Sequence, residues 1–205
     1  MLGRHTDFET PPRGAEQFSD DVASPYRRRN RWKGEIVSAN GFVEKSYDKK
    51  PMMVCLYGRI TLRWERLALQ RLERIEGVPS YSGRPTGKSI RMTRVPGIPL
   101  DKLKSGELSE QCFHRLQSLI RDIHRRGVAH GDLHMRNILI HENKPFIVDF
   151  STAYVRGRLP ILDKNFFRLF VLLDLERLYK IEKAFFGRGT PPKMFFLYRL
   201  VKGIK

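Results

Sequence analysis

Two short runs of residues that favour strands, which include Ile36, Val37, Phe42 and Val43, flank the dipeptide Asn40-Gly41. Asn-Gly between two such runs is a strong signal for a tight β-hairpin. We therefore predict two antiparallel strands within GEIVSANGFVEKSY, with Lys45 in the second strand. The segment KSIRMTRV predicts a further strand, which ends at a Pro/Gly-rich hinge at 96–99.

Three longer stretches predict helices: in the first two, apolar residues recur every three to four positions, which is the spacing of an amphipathic helix, and the third is apolar over most of its length. The first stretch covers 60–75. The second begins after Ser109, a good N-cap residue, and stops at Gly127. The third covers 165–186 and ends at Gly187, and a short aromatic and basic helix is predicted in the last residues of the chain.

The polar segment HGDLHMRN at 130–137 lies directly before the apolar run NILI, and a second strand-like run, FIVDF, contains Asp149. The turn HENKP between the two runs predicts a hairpin. Asp132 and Asn137 can then face one cavity from a single loop, and Asp149 can approach the same cavity from the next loop.

These polar residues suit phosphoryl transfer, which requires a cation at the phosphates, oxygen ligands for Mg²⁺ and a carboxylate at the attacking hydroxyl. Lys45 on a strand can reach the phosphates if a glutamate from a facing helix, such as Glu65, holds its ammonium in place. Asn137 and Asp149 offer the amide and carboxylate oxygens that Mg²⁺ binds. Asp132 is the candidate for the carboxylate that faces the hydroxyl.

The same segments resemble the protein-kinase-like superfamily over about residues 31–186. HGDLHMRN resembles the kinase catalytic loop, with Asp132 in the place of the catalytic base and Asn137 as a metal ligand. VDFS resembles the metal-binding DFG segment, with Ser151 where glycine is usual. FVEKS resembles the strand of the phosphate-binding lysine, and WERLALQRL resembles the helix of its glutamate partner. The resemblance implies ATP and Mg²⁺ as cofactors.

The fold class that this resemblance implies is α+β, a compact two-lobed kinase-like fold with a reduced C-terminal lobe. We expect an N-terminal lobe at 27–96 and a mainly helical C-terminal lobe at 97–205. Residues 1–26 are rich in Pro, Gly, Asp and Ser without hydrophobic periodicity, and they predict a loosely ordered tail.

Three departures from the kinase pattern indicate the branch. No GxGxxG motif precedes Lys45, no APE motif follows Asp149, and His134 occupies a position where Ser/Thr protein kinases usually carry lysine. The Gly-Asp-Leu-His form is similar to the lipopolysaccharide core sugar kinases (Kdo and heptose kinases), the RIO-like kinases and the aminoglycoside phosphotransferases, and the lipopolysaccharide branch is the most similar. The resemblance therefore implies a kinase that phosphorylates a hydroxyl of a lipopolysaccharide core sugar. An atypical serine/threonine protein kinase and a kinase-like binding module with little catalysis are the alternatives.

Several residue assignments stay open at this stage. Glu73 lies on the same predicted helix as Glu65 and could replace it as the lysine's partner. We expect His130 to be structural and leave the role of His134 open. Asp174 could anchor the backbone of the catalytic loop or face solvent, because a buried carboxylate is costly unless it is hydrogen-bonded.

The chain is strongly basic, with 39 Lys and Arg against 22 Asp and Glu, a net charge of +17 and a pI of about 10.3. Such a charge favours polyanionic partners, among which nucleic acid ranks last because charge alone supports it. Residues 154–205 combine 12 Lys and Arg with many Phe residues. Core packing is the preferred account of those Phe residues, and contact with an anionic membrane is the alternative.

Two further features bear on the compartment. Cys55 and Cys112 have no CxxC spacing and are expected to be reduced thiols rather than zinc ligands. The first residues lack the apolar region of a signal peptide, and no uncharged stretch is long enough to span a bilayer. We expect a cytoplasmic protein, with peripheral contact at the inner membrane left open.

Overall fold

The computed structural model describes residues 34–39, 41–157 and 161–189. The predicted tail at 1–26 and the predicted terminal helix lie outside the described residues. The lobe boundary at 96 stays a prediction.

The first sheet contains four antiparallel strands, β1 (Glu35–Ala39), β2 (Phe42–Ser46), β3 (Tyr81–Gly83) and β4 (Ser89–Thr93), in the spatial order β1-β2-β4-β3. Gly41 has a positive φ of 77°, as the tight turn between β1 and β2 requires, and Lys45 of β2 pairs with Ile90 of β4. The predicted hairpin and the strand position of Lys45 are confirmed.

Helix α1 spans Met52–Arg71, so the predicted start at residue 60 and end at residue 75 are wrong. The buried face of its first half contains Cys55, Gly58 and Thr61, which are small or weakly hydrophobic. The largest apolar side chains of that half are exposed instead. The hydrophobic periodicity is consequently weak there, although the backbone is helical from Met52.

Gly58 lies where α1 packs against the residue after β2. A Cβ atom at this glycine would lie 2.4 Å from Cγ of the Tyr47 ring, which is closer than any real contact. The missing side chain therefore permits the close approach of the helix to the strand of Lys45.

The remaining elements follow the predicted pattern closely. Helix α2 is capped by the Ser109 hydroxyl, which accepts a hydrogen bond from the Cys112 amide at 3.0 Å, and Gly127 follows it with a φ of 72°. Strands β7 and β8 form the predicted hairpin, and Gly187 ends α3 with a φ of 65°. The elements are β5 (Ile98–Pro99), α2 (Glu110–Arg125), β6 (Val128–Ala129), β7 (Ile138–His141), β8 (Lys144–Ile147), β9 (Tyr154–Val155) and α3 (Asp163–Phe186).

One continuous apolar cluster joins these elements. It includes Leu69 of α1, Ile90 of β4, Leu116 of α2 and Ile147 of β8, each at most 1% exposed. Strand β5 pairs with β7, and β6 pairs with β9, so the segments on both sides of the catalytic loop are held by sheet hydrogen bonds.

Cys55 and Cys112 are both free and buried. Among the described residues, no helix is both long and apolar enough to cross a membrane.

Candidate active site

Lys45 lies at the centre of a buried charge cluster. Its Nζ is 3.0 Å from Oε2 of Glu65 on α1 and 3.0 Å from Oδ1 of Asp149 after β8. Lys45 is 8% exposed and Glu65 is 1% exposed. Glu73 is exposed, so Glu65 is the glutamate that contacts the lysine.

The pKa values of Lys45 and Glu65 in this cluster are set by burial and by the opposite charge of the neighbouring side chains. Burial alone would lower the pKa of Lys45, but the carboxylates of Glu65 and Asp149 outweigh it and raise that pKa above its ordinary value. Burial raises the pKa of Glu65, and the neighbouring ammonium of Lys45 opposes this rise. The lysine therefore carries its positive charge inside the protein at any physiological pH.

Asp149 has a left-handed backbone conformation with a φ of 64° and a ψ of 68°, which is uncommon for a residue with a side chain. Ser151 Oγ donates a hydrogen bond to Asp149 Oδ1 at 2.7 Å. The serine that replaces the usual glycine of the DFG segment thus helps to orient the candidate metal ligand.

The catalytic loop presents Asp132 towards solvent, with 41% of its side chain exposed. Its Oδ1 lies 2.8 Å from Nε2 of His134. Asn137 is buried, and its Nδ2 donates to the Asp132 carbonyl oxygen at 2.9 Å. The Val148 amide donates to the Asn137 carbonyl at 2.9 Å, which ties the loop to the strand that leads to Asp149.

His134 is most simply described as a neutral donor to Asp132. Burial lowers the pKa of His134, and the nearby Arg177 and Arg136 lower it further, against the opposing effect of Asp132. A neutral imidazole that donates from Nε2 orients the Asp132 carboxylate. The sequence left the role of His134 open, and this contact assigns it an orienting position.

His130 is structural, as expected from the sequence. It is 2% exposed and its ring packs against Phe150 with the centroids 4.9 Å apart. The Asp132 amide donates to its Nδ1 at 3.3 Å, so its proton lies on Nε2, which is 2.9 Å from the Val148 carbonyl oxygen. This tautomer connects the catalytic loop to the strand before Asp149.

Asp174 of α3 is 1% exposed and anchors the backbone of the loop at 130–137. Of the two alternatives for this residue, a loop anchor or a solvent-facing carboxylate, the structure shows the anchor. Its Oδ2 accepts from the His130 amide at 2.7 Å and its Oδ1 accepts from the Gly131 amide at 2.8 Å. His124 Nε2 lies 2.9 Å from the same Oδ2. The sequence offered no signal for His124, because its partner is 50 residues away in the chain.

The residues present fit a magnesium ion. Because Asn137 Nδ2 is engaged with a carbonyl, its amide oxygen is left to act as an acceptor or ligand. Mg²⁺ is usually held by one or two protein oxygens together with phosphate oxygens and water, so Asn137 and Asp149 provide an adequate set. Within the described part of the chain, no group of three or more His, Cys, Asp or Glu residues could hold a metal ion by itself.

Comparisons with known proteins agree with this geometry. The family model of the lipopolysaccharide kinase (Kdo/WaaP) family matches residues 100–181, which is less than half of the chain but includes the catalytic loop, the Asp149 segment and most of α3.

Two relatives match the chain over part of its length. A probable bifunctional tRNA threonylcarbamoyladenosine biosynthesis protein of Thermoplasma acidophilum is 32% identical over 108 residues, which are 48% of this chain and 20% of that protein. A RIO-type serine/threonine-protein kinase Rio1 of Haloferax volcanii is 22% identical over 103 residues, which are 47% of this chain and 36% of that protein. The matches thus cover well under half of these relatives.

Solved structures with the same fold include the Rio2 kinase of Chaetomium thermophilum in a complex with ADP/Mg²⁺ and phosphoaspartate. The TM-score is 0.57 at 16% identity, and the alignment covers 83% of this chain and 61% of that chain. A second Rio2 structure from the same organism aligns with a TM-score of 0.58.

Fold and site together indicate the class: the chain has the protein-kinase-like fold, and the matching family model and the RIO-type relative are those of kinases. Its similarities lie with the Kdo and RIO-like kinases, so the predicted family resemblance and the predicted α+β kinase-like fold are confirmed. The individual roles of Lys45, Glu65, Asp132, Asn137 and Asp149 stay predictions.

Proposed function

We propose that the protein is an ATP- and Mg²⁺-dependent phosphotransferase that acts on a hydroxyl group. The observation that carries this proposal is the contact of the buried Lys45 with both Glu65 and Asp149 at 3.0 Å. A fixed cation beside a candidate metal ligand is the arrangement that phosphoryl transfer requires. The Rio2 neighbour, which was solved with ADP and Mg²⁺, supports the choice of cofactors.

Each residue has a defined part in this proposal. Lys45 binds the phosphates of the nucleotide, and Glu65 keeps its ammonium in place. Asn137 and Asp149 hold Mg²⁺, which supplies positive charge to the oxygens of the transferred group. Asp132 accepts the proton of the attacking hydroxyl, and its half-exposed carboxylate is accessible to an acceptor.

For the acceptor we propose a lipopolysaccharide core sugar at the cytoplasmic face of the membrane. The match to the lipopolysaccharide kinase family model supports this choice. Only residues 150–162 lie between Asp149 and α3, which leaves little chain to form a platform for an extended peptide. A sugar hydroxyl requires no such platform.

An atypical serine/threonine protein kinase is the second candidate. The Rio1 relative and the Rio2 fold favour it, because both of those proteins are named as kinases of the RIO type. The two candidates share the phosphate-binding residues and differ in the acceptor.

The test is incubation of the full chain with ATP labelled in the γ-phosphate, together with either a lipopolysaccharide core acceptor or a mixed protein extract. We expect label on the glycolipid, and none with the Asp132→Asn variant. Label on Ser or Thr of protein, with none on the glycolipid, would replace the sugar acceptor with a protein acceptor.

A kinase-like binding module without catalysis is tested separately by thermal melting. A rise in melting temperature with ATP and Mg²⁺, without label on any acceptor and without ATP hydrolysis, would favour the module. No rise at all would remove the proposed nucleotide site.

A further inference from the structure

The outward face of α1 carries an unusual number of exposed apolar side chains. They occupy the first half of the helix at spacings of one, three and four residues, which places them on one side. Exposed apolar side chains that lie together mark a surface for an interaction partner. They are Met52 (82% exposed), Met53 (67%), Leu56 (56%), Tyr57 (50%) and Ile60 (52%).

Arginine side chains border this apolar face and form a concavity with it. The concavity has a volume of about 510 Å³ and lies between α1 and the loop that follows β3. Its apolar part consists of Leu56 and Ile60, and its basic part consists of Arg59, Arg63, Arg66 and Arg84.

The four guanidinium groups have no opposing charge among the described residues. None of them forms an ion pair with a carboxylate of the described chain. Arg63 lies over the Trp64 ring at 5.7 Å, and Arg84 donates to the Gly87 carbonyl. Arg66 Nε is buried and has no hydrogen-bond partner among the residues that the structure describes, which leaves a costly unsatisfied donor there.

Clustered positive charges repel one another, so an anion in the concavity would stabilise them. Phosphate suits guanidinium groups because it accepts paired hydrogen bonds. The adjoining apolar face requires a ligand that carries hydrocarbon beside its phosphate. A helix face with apolar residues bordered by arginine is also typical of proteins that lie on a membrane surface.

We propose that the outward face of α1 docks the protein on an anionic membrane, with lipid phosphates in the arginine concavity and the five apolar side chains in the lipid interface. This site is separate from the active site, because Glu65 lies on the buried face of the same helix. The proposal does not depend on the proposed kinase activity, and its test requires no nucleotide.

The test measures sedimentation of the full chain with vesicles of phosphatidylcholine alone or of phosphatidylcholine with phosphatidylglycerol. We expect binding only to the anionic vesicles, and weaker binding at high salt. Arg63→Gln combined with Arg84→Gln should lower the partition coefficient about tenfold or more. Each arginine near an anionic surface contributes about 1 kcal/mol to the free energy of membrane binding. Leu56→Ser combined with Ile60→Ser should lower it by a similar factor.

The matched control is Arg121→Gln combined with Arg126→Gln, which removes the same charge from exposed residues of the region of α2. It should bind vesicles almost as wild type does. An equal loss in the control and the Arg63/Arg84 variant would show general attraction by the net charge and overturn the proposal.

A direct readout complements the variants. An environment-sensitive fluorophore on Ile60→Cys should shift its emission to the blue with anionic vesicles, and the buried Cys55 and Cys112 should not compete for the label. No shift would overturn the proposed orientation. Binding of an oligoribonucleotide that is weakened in the Arg63/Arg84 variant but unchanged in the Leu56/Ile60 variant, without vesicle binding, would replace the membrane with nucleic acid.

Discussion

The two halves of the candidate active site differ in how firmly the protein itself holds them. Lys45 is 8% exposed and contacts two carboxylates, whereas the Asp132 side chain is 41% exposed and contacts the single imidazole of His134. The half that would bind phosphates is therefore organised before any ligand arrives. The half that would meet the acceptor is open to solvent.

The largest expected effect concerns the open half. Asp132→Asn should lower phosphoryl transfer about 100- to 10,000-fold, because it removes the group that accepts the proton of the hydroxyl. Nucleotide affinity, measured by calorimetry, should be nearly unchanged. Asp122→Asn, at a half-exposed carboxylate on α2, is the control and should keep full activity. Normal turnover in Asp132→Asn would remove Asp132 from the mechanism.

The buried half is expected to respond in stability. Lys45→Met leaves the Glu65 carboxylate buried without its partner, which should lower the free energy of unfolding by about 3–5 kcal/mol. Adding Glu65→Gln to the same chain should recover part of this loss, since the uncompensated charge is gone. Urea denaturation measures both variants. A double variant no more stable than Lys45→Met would contradict the charge pairing.

The support beneath the catalytic loop should give a smaller effect. Asp174→Ala leaves the amides of His130 and Gly131 without their acceptor, at a cost of about 1–3 kcal/mol for each donor that stays unsatisfied. Activity should fall as well, because the loop loses its anchor. Lys183→Ala, an exposed residue of the same helix, controls for the change in helix composition. A loss confined to stability, with normal turnover in the folded protein, would show that the loop keeps its shape without Asp174.

Asp149 links the two halves, and its substitution tests the metal site. Asp149→Asn should weaken ADP binding about tenfold in the presence of Mg²⁺, since one of two protein ligands is lost. Binding without Mg²⁺ should change much less. Fluorescence or calorimetric titration with and without the metal separates the two cases. The same loss in both conditions would assign Asp149 to phosphate orientation and not to the metal.

The smallest effect concerns pH. Burial holds the pKa of His134 below its ordinary value of 6.5, so the unfolded chain takes up a proton before the folded chain as the pH falls. The titration of His134 therefore does not change the free energy of unfolding above pH 6.5, and it lowers this free energy as the pH falls below 6.5. The free energy of unfolding, measured by urea denaturation, should fall less between pH 7.5 and pH 5.5 in His134→Gln than in the wild type, because glutamine does not titrate. An identical pH dependence would show that His134 titrates normally.

The sequence predicted the contact between Lys45 and Glu65 better than it predicted the bounds of the helix that carries Glu65. The candidate residues Lys45, Asp132, Asn137 and Asp149 lie in short sequence motifs. These motifs and their order along the chain can be recognised without any knowledge of how the chain packs. The start of α1 was mispredicted because its buried face uses small residues there. The contact of Asp174 with the catalytic loop could not be decided, since it joins segments more than 40 residues apart. Local sequence patterns therefore indicate the candidate site residues, whereas the contacts that hold these residues in place are seen only in the structure.

Gly58 gives the site a dependence on a residue that touches no ligand. Glu65 follows it by seven residues on the same buried face of α1, two turns further along. A glycine inside a helix costs about 1 kcal/mol relative to alanine, so substitution by alanine would ordinarily strengthen the helix. Here the added methyl would meet the Tyr47 ring, two residues beyond Lys45, and push the helix away from the strand. The absence of a side chain at Gly58 thus fixes how closely Glu65 approaches Lys45. Gly58→Ala would raise the helix propensity of α1 and at the same time weaken the ion pair between Glu65 and Lys45.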